Sequence, residues 1–292
     1  MLPAQLTNDS GALVEAAIAD VGEIATLPEV TVKIIRIVED PKSTARDLHD
    51  VIRNDPALSA RILKVVNSAF YGLPGQISSI DRAIVLLGLS AVKNISIAAS
   101  MTHLFNGGTA IEGFSGTEVW KHSISTAVAA RMLSSAQGRA TVEESFLAGL
   151  ISDLGLLIER QVFAKELAEV IARLRSGTDD YCELEQEIIG ADHQAFGMAL
   201  ATKWRFPKLL CTTIGYHHKP MDLAEVNREL PALVHLGDTL ACRLESGFCT
   251  MGTDVPLSPE LLEAVKLSEE KVEAVFAELP EQVSMAESIF AD

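Results

Sequence analysis

The sequence predicts an all-α fold arranged as a two-lobed helical domain, and three observations lead there. Hydrophobic residues make up 48% of the 292 positions while aromatics make up 5%, and the excess of Ala, Leu, Ile and Val suits close-packed helices better than a β-sandwich. No extended alternating run appears. The short β-branched stretches, such as Ile34 to Val38, sit inside patterns with helical spacing and are therefore read as helix. A glycine-rich segment from Asn106-Gly107-Gly108 to Gly116 divides the helical patterns into an N-terminal lobe over 11–106 and a second lobe over 117–247, with a helical tail over 258–291.

Gly11 to Ile24 carries Leu13, Ala17, Val21 and Ile24 at amphipathic spacing. Pro28 opens the next helix, where its missing N–H is harmless, and Val30, Ile34, Ile37 and Val38 share a face. Ser43 or Thr44 caps a third helix that turns Leu48, Val51 and Ile52 inward, and Asp55-Pro56 caps and opens a fourth that runs to about Phe70. Ser79 or Asp81 caps a short apolar helix that breaks at Gly88, and Ser90 starts another that reaches about Leu104. Two short helices joined through glycine resemble a helix-turn-helix, but the second has only Lys93 to offer a phosphate backbone, so the pair is read as core packing.

In the second lobe, Thr117 caps a helix that turns His122 inward with Val119, Thr126, Ala129, Ala130 and Leu133. Thr141 and Glu144 form a capping box ahead of LAGLISDLGLL (147–157), a stretch apolar almost all round with Asp153 at its centre. A buried carboxylate needs a partner, because an unpaired charge in an apolar interior costs several kcal/mol. Lys165 to Arg175 and Tyr181 to Ile189 read as connecting helices with solvated charged faces. Asp192 caps the helix that carries His193, Phe196, Leu200 and Trp204; Pro207 opens the one ending in His217-His218; Leu230 to Leu244 carries His235 and Asp238. Two tail helices built on Leu261, Leu262, Val265, Val272, Val275 and Phe276 fold back on the body.

The charge balance narrows the function classes. With 24 Lys and Arg against 40 Asp and Glu the formal net charge is −16, which disfavours direct nucleic-acid binding. No membrane span and no signal peptide are expected, and Cys182, Cys211, Cys242 and Cys249, without a C-x-x-C pair, read as reduced thiols of a cytoplasmic protein. No G-x-S-x-G, P-loop or dinucleotide fingerprint occurs.

The blocks LPEV, NDPALSARILKVVNSAFYG and ISSIDRAIVLLG, with the downstream segments above, resemble the HDOD family, the HD-related output domains of bacterial signalling proteins, over roughly Leu27 to Gly247. The resemblance implies an N-terminal HDOD-specific helical lobe followed by an HD-like helical lobe, with 27–247 as one unit. His122, Asp153, His193, His217, His218 and Asp238 are nitrogen and oxygen donors on separate helices, the set such a domain needs for divalent metals. Their order and spacing look like the HD-GYP metal-dependent phosphohydrolases. In those enzymes the buried helix carries a His-Asp pair; here the pair is Ser152-Asp153, and Lys219-Pro220-Met221 stands where the GYP element would follow.

Counted by site, one half keeps His122, Asp153 and Asp238, and the other keeps Asp153, His193, His217 and His218. The second half suits one divalent transition metal such as Fe, Mn, Zn or Ni. The alternative is a satisfied polar network without metal. No catalytic residue is assigned. The expected function is a non-catalytic signal-transduction output or interaction module with a degenerate HD metal site, partnered by another signalling protein or a small nucleotide ligand. The competing expectation is a metal-dependent phosphohydrolase or phosphodiesterase acting on a nucleotide or cyclic dinucleotide, with Lys121, Lys203 or Lys219 near the phosphate. His49 and His103 are read as ordinary histidines, and His235 either orients Asp238 or lies on the surface.

Overall fold

In the computed structural model, residues 8–22, 27–39, 42–73, 75–105, 109–138, 142–176, 180–251 and 255–290 are described. The regular elements among them are all helical; an isolated bridge between Ile111 and Phe114 forms no strand. The first helices are α1 (Asn8–Asp20), α2 (Glu29–Glu39), α3 (Ala45–Arg53), α4 (Pro56–Val66), α5 (Ile80–Leu87) and α6 (Leu89–Met101). Helix α1 begins earlier than its sequence pattern suggests and buries Val14, Ala17, Ile18 and Val21 instead of centring on Leu13. Ile24, Asn106 to Gly108, Thr141 with its capping box, and the Val38 and His103 side chains lie outside what is described.

Local chemistry sets the helix starts. Pro28 precedes α2 and its carbonyl accepts from Val32 N at 3.1 Å. Thr44 and Asp47 make a reciprocal capping box on α3, Asp55 accepts from Leu58 N at 2.9 Å with Pro56 at the first position of α4, and Ser79 accepts from Arg82 N at the start of α5. Asn67 ties the turn after α4 to Ile77, donating to its carbonyl at 2.8 Å and accepting from its N–H at 2.6 Å. Gly88, at φ 88°, breaks α5 from α6. Helix α6 is buried from Ala91 to Met101 except at Lys93 and packs on α2 and α4, so the resemblance to a helix-turn-helix ends at the sequence.

The remaining elements are α7 (Gly116–Ala136), α8 (Val142–Ile151), α9 (Leu154–Val162), α10 (Ala164–Ser176), α11 (Tyr181–Ile188), α12 (His193–Lys203), α13 (Lys208–Tyr216), α14 (Glu229–Arg243), α15 (Pro259–Val265) and α16 (Glu269–Phe290). Helix α7 starts with Ser115 in the cap position and no side-chain cap bond, so Thr117 lies inside the helix and does not cap it. Helices α8, α14 and α16 surround α7, while α6 packs on α8 and α1 on α12. Phe290, at the end of α16, is buried against Trp120 and Phe146, and its carbonyl accepts from Trp120 Nε1 at 3.2 Å. All four cysteines are free thiols. Among the described residues no helix is long and apolar enough to cross a membrane.

Candidate metal centre

The apolar stretch around Asp153 is two helices, not one. Helix α8 ends at Ile151, Ser152 and Asp153 form a turn, and α9 starts at Leu154, so Asp153 sits at a helix junction with φ −94° and ψ 16° and does not lie mid-helix. Its side chain makes no cap bond to α9 and is left to point at the histidines. The positive end of the α9 dipole also favours a carboxylate here. Gly155, the second residue of α9, makes the approach possible: a Cβ there would overlap the His193 carbonyl oxygen, so the backbones of α9 and α12 touch and bring Asp153 beside His193.

Four of the six candidate donors converge. One ligand atom each from Asp153, His193, His217 and His218 lies within 4.8 Å of all the others. Nε2 of His193 is 3.4 Å from Nε2 of His217 and 3.0 Å from Nε2 of His218. Asp153 Oδ1 lies 3.5 Å from His217 Nε2 and 3.7 Å from His193 Nε2. An ion bound tetrahedrally at the usual nitrogen and oxygen distances sets its ligands about 3.4 Å apart. Four of the six edges of the cluster lie between 3.0 and 3.7 Å.

Tautomers support the same arrangement. The Nδ1–H of His217 donates to the Ile214 carbonyl at 2.8 Å, and Nδ1 of His193 faces the Glu185 carboxylate at 2.8 and 2.9 Å. Each neutral ring bonded in this way turns the lone pair of Nε2 toward the other. Facing lone pairs at 3.4 Å repel unless a cation or a proton lies between them, so this donor set fits a divalent ion.

Electrostatics follow from the same geometry. Burial alone raises the Asp153 carboxyl, but His217, His122 and His193 outweigh it and hold the group well below the usual carboxylate range. Burial and the neighbouring imidazoles push His218 well below the ordinary histidine value. His122 goes the other way: burial lowers it, but its bond to Asp238 and the nearby charges raise it well above that value.

His122 and Asp238 stand beside the four-donor cluster as a pair. His122 Nε2 is 2.7 Å from Asp238 Oδ1 and 3.9 Å from Asp153 Oδ2, while Asp238 Oδ2 is 3.6 Å from His218 Nδ1. Ser152 is buried and its hydroxyl donates back to the Gly149 carbonyl at 3.0 Å. His235 does not orient Asp238; its Nδ1–H donates to the His217 carbonyl at 2.8 Å. Lys121 is bonded to Glu118 at 2.9 Å and Lys203 to the Ile18 carbonyl at 2.8 Å, while Lys219 is exposed. His49 is partly exposed near Asp50 and Asp81.

The sequence reading missed Glu185, whose helix it assigned to a solvated surface. Glu185 is fully buried; besides facing Nδ1 it accepts from His193 N at 3.1 Å. Its spacing of four from both Tyr181 and Ile189 puts it on the apolar stripe of α11, which is the signal that could have found it. Glu159 is also fully buried, and both its oxygens lack a partner if it is ionised. Burial and the neighbouring Glu185 raise Glu159 well above the ordinary glutamate value, so it keeps its proton.

Fold and site together define an all-helical domain with a buried cluster of histidines and aspartates. The HDOD domain model matches residues 24–220, and the chain belongs to the HDOD family. A curated uncharacterized protein from Treponema pallidum (strain Nichols) is 26% identical over 205 residues, 70% of this chain, which spans 39% of that protein's length. Three solved structures share the fold at low identity. An HDOD domain protein of unknown function from Geobacter sulfurreducens has a TM-score of 0.81 at 22% identity, covering 96% of this chain and 98% of its own. A candidate signal transduction protein from Marinobacter aquaeolei VT8 has a TM-score of 0.77 at 23% identity, covering 99% and 68%. A candidate phosphohydrolase from Shewanella amazonensis SB2B has a TM-score of 0.72 at 23% identity, covering 94% and 98%.

Proposed function

We propose that the chain is a non-catalytic signal-transduction output module of the cytoplasm, acting through a partner signalling protein or a small nucleotide ligand, with one divalent transition metal in a degenerate HD site. Asp153, His193, His217 and His218 would hold the ion. One observation carries the non-catalytic reading: the half of the centre that would take a second metal is closed on itself, with His122 bonded to Asp238 at 2.7 Å and Ser152 turned back to the Gly149 carbonyl. A bound divalent ion supplies Lewis acidity and, where a coordination position is open, an activated water. Here three imidazoles and a carboxylate account for all four tetrahedral positions, and their side chains are at most 7% exposed. A site with that donor count fixes helices α9, α12 and α13 to one another, a structural role.

The competing reading, a phosphohydrolase or phosphodiesterase acting on a nucleotide or cyclic dinucleotide, draws on the same intact donor set. Metal analysis of the purified chain, paired with turnover of a generic phosphodiester and of a cyclic dinucleotide, separates the two. The expected result is about one equivalent of metal, lost in Asp153→Ala, with no turnover. Metal-dependent turnover that Asp153→Ala abolishes would overturn the non-catalytic reading.

A further inference from the structure

The loop after α14 brings two thiols to the outer side of the His122–Asp238 pair. Gly247, at φ 75°, lies so close to α7 that a Cβ there would overlap the Glu118 carbonyl oxygen, and Phe248 N donates to that carbonyl at 3.0 Å. Ser246 adds a 2.6 Å bond between its hydroxyl and that of Ser125. This anchoring sets Cys249 Sγ 3.9 Å from His122 Nδ1. On the far side of the same ring, Asp238 Oδ1 holds Nε2 at 2.7 Å. His122 Nδ1 also lies 3.2 Å from the Ser246 carbonyl, so the sulfur stands at the edge of an imidazole whose two nitrogens both face oxygens.

Cys242, one turn beyond Asp238 on α14, completes the group: one donor atom each from His122, Cys242 and Cys249 lies within 4.8 Å of the others. The two thiols differ in access. Cys249 is partly exposed, whereas Cys242 is fully buried behind it. An accessible thiol backed by a second thiol that solvent does not reach is the arrangement in which one sulfur is attacked and the other resolves the product.

We propose that Cys249 and Cys242 form a thiol–disulfide site, in which Cys249 is the nucleophile oxidised by a hydroperoxide and Cys242 is the resolving thiol. Cys249 Sγ loses its proton to solvent and attacks the peroxide oxygen. The O–O bond breaks, the leaving hydroxide or alkoxide takes a proton, and Cys249 becomes a sulfenic acid. Cys242 then attacks that sulfur, the S–O bond breaks, and water leaves as the disulfide forms. Two thiols and one hydroperoxide give one disulfide, one water and one alcohol, or a second water when the oxidant is hydrogen peroxide. The disulfide would draw two sulfurs now within 4.8 Å to the bonding distance of about 2.05 Å.

The test treats the reduced full chain with equimolar hydrogen peroxide and maps its peptides by mass. A Cys242–Cys249 disulfide is expected, reversed by dithiothreitol, with Cys182 and Cys211 left reduced. Cys242→Ser should leave a Cys249 sulfenic acid that dimedone traps, and Cys249→Ser should leave Cys242 reduced. Without any substitution, iodoacetamide should alkylate Cys249 of the folded chain about tenfold or more faster than Cys182 or Cys211. The proposal is overturned if Cys249 reacts no faster than those two, or if peroxide leaves both thiols reduced. It is equally overturned if the purified chain holds a metal ion at these thiols that Cys249→Ser releases.

Discussion

Glu185→Gln tests whether the four-donor cluster is a metal centre. Glu185 is fully buried, and its two oxygens face two donors of one residue: Nδ1 of His193 at 2.8 and 2.9 Å and the His193 backbone N–H at 3.1 Å. Glutamine keeps the volume but has one acceptor oxygen. Even with that oxygen in the Oε2 place, where it reaches both donors, the NH2 stands in the Oε1 place 2.9 Å from Nδ1–H, donor against donor, and the hold on the His193 ring weakens. Losing such an outer partner typically weakens metal binding about 10- to 100-fold, which is about 1.4–2.7 kcal/mol. The assay is a chelator competition at fixed pH, with far-UV circular dichroism confirming that the variant is folded. Asp153→Ala, which removes a direct ligand, should bind metal more weakly still. Affinity of Glu185→Gln within about twofold of the parent would refute the carboxylate–histidine–metal arrangement.

Three further outcomes follow from packing and buried charge. The pKa of Glu159 is raised in the folded chain, so between about 4.5, its unfolded value, and the folded value the native state holds a proton the unfolded state has lost; stability falls through that window as pH rises, by up to about 1.4 kcal/mol per pH unit. Glu159→Gln, which mimics the protonated acid, should remove that slope in denaturant titrations run across pH, and an unchanged slope would show that Glu159 is not its source. Gly155→Ala should destabilise the chain by about 1–3 kcal/mol and weaken metal binding, because α9 must move off the His193 carbonyl; a denaturant midpoint equal to the parent's would contradict the contact. Phe290→Ala removes a buried ring packed on Trp120 and Phe146 and should cost about 3–5 kcal/mol, whereas Val226→Ala, at an 88% exposed position, should stay within about 0.5 kcal/mol; Trp fluorescence during unfolding measures both.

Much of the helical scaffold was legible because its signals are local. Thr44, Asp55, Ser79 and Asp192 each accept from the backbone N–H three residues on, as their position before an apolar run implies. Local patterning also misled. Nothing in LAGLISDLGLL marks a break, since it has no proline and its glycines are tolerated in helix, yet the chain leaves helix at Ser152-Asp153. The Thr117 cap failed for a related reason: a good capping residue one place inside a helix looks the same in sequence as one at its start.

The sequence alone determined the fold class and the identities of the donors, because apolar periodicity and residue chemistry are properties of short stretches. Which donors meet was decided by the tertiary structure. Helix packing gathered Asp153 with His193, His217 and His218, through Gly155 where α9 meets α12; it bonded His122 directly to Asp238 where α7 meets α14 at Gly237, and placed Glu185 of an apparent surface helix at the back of His193. Those outcomes depend on contacts between residues 24 to 116 positions apart in the chain, or, for Glu185, on which face of α11 the rest of the fold covers. No local pattern carries that information.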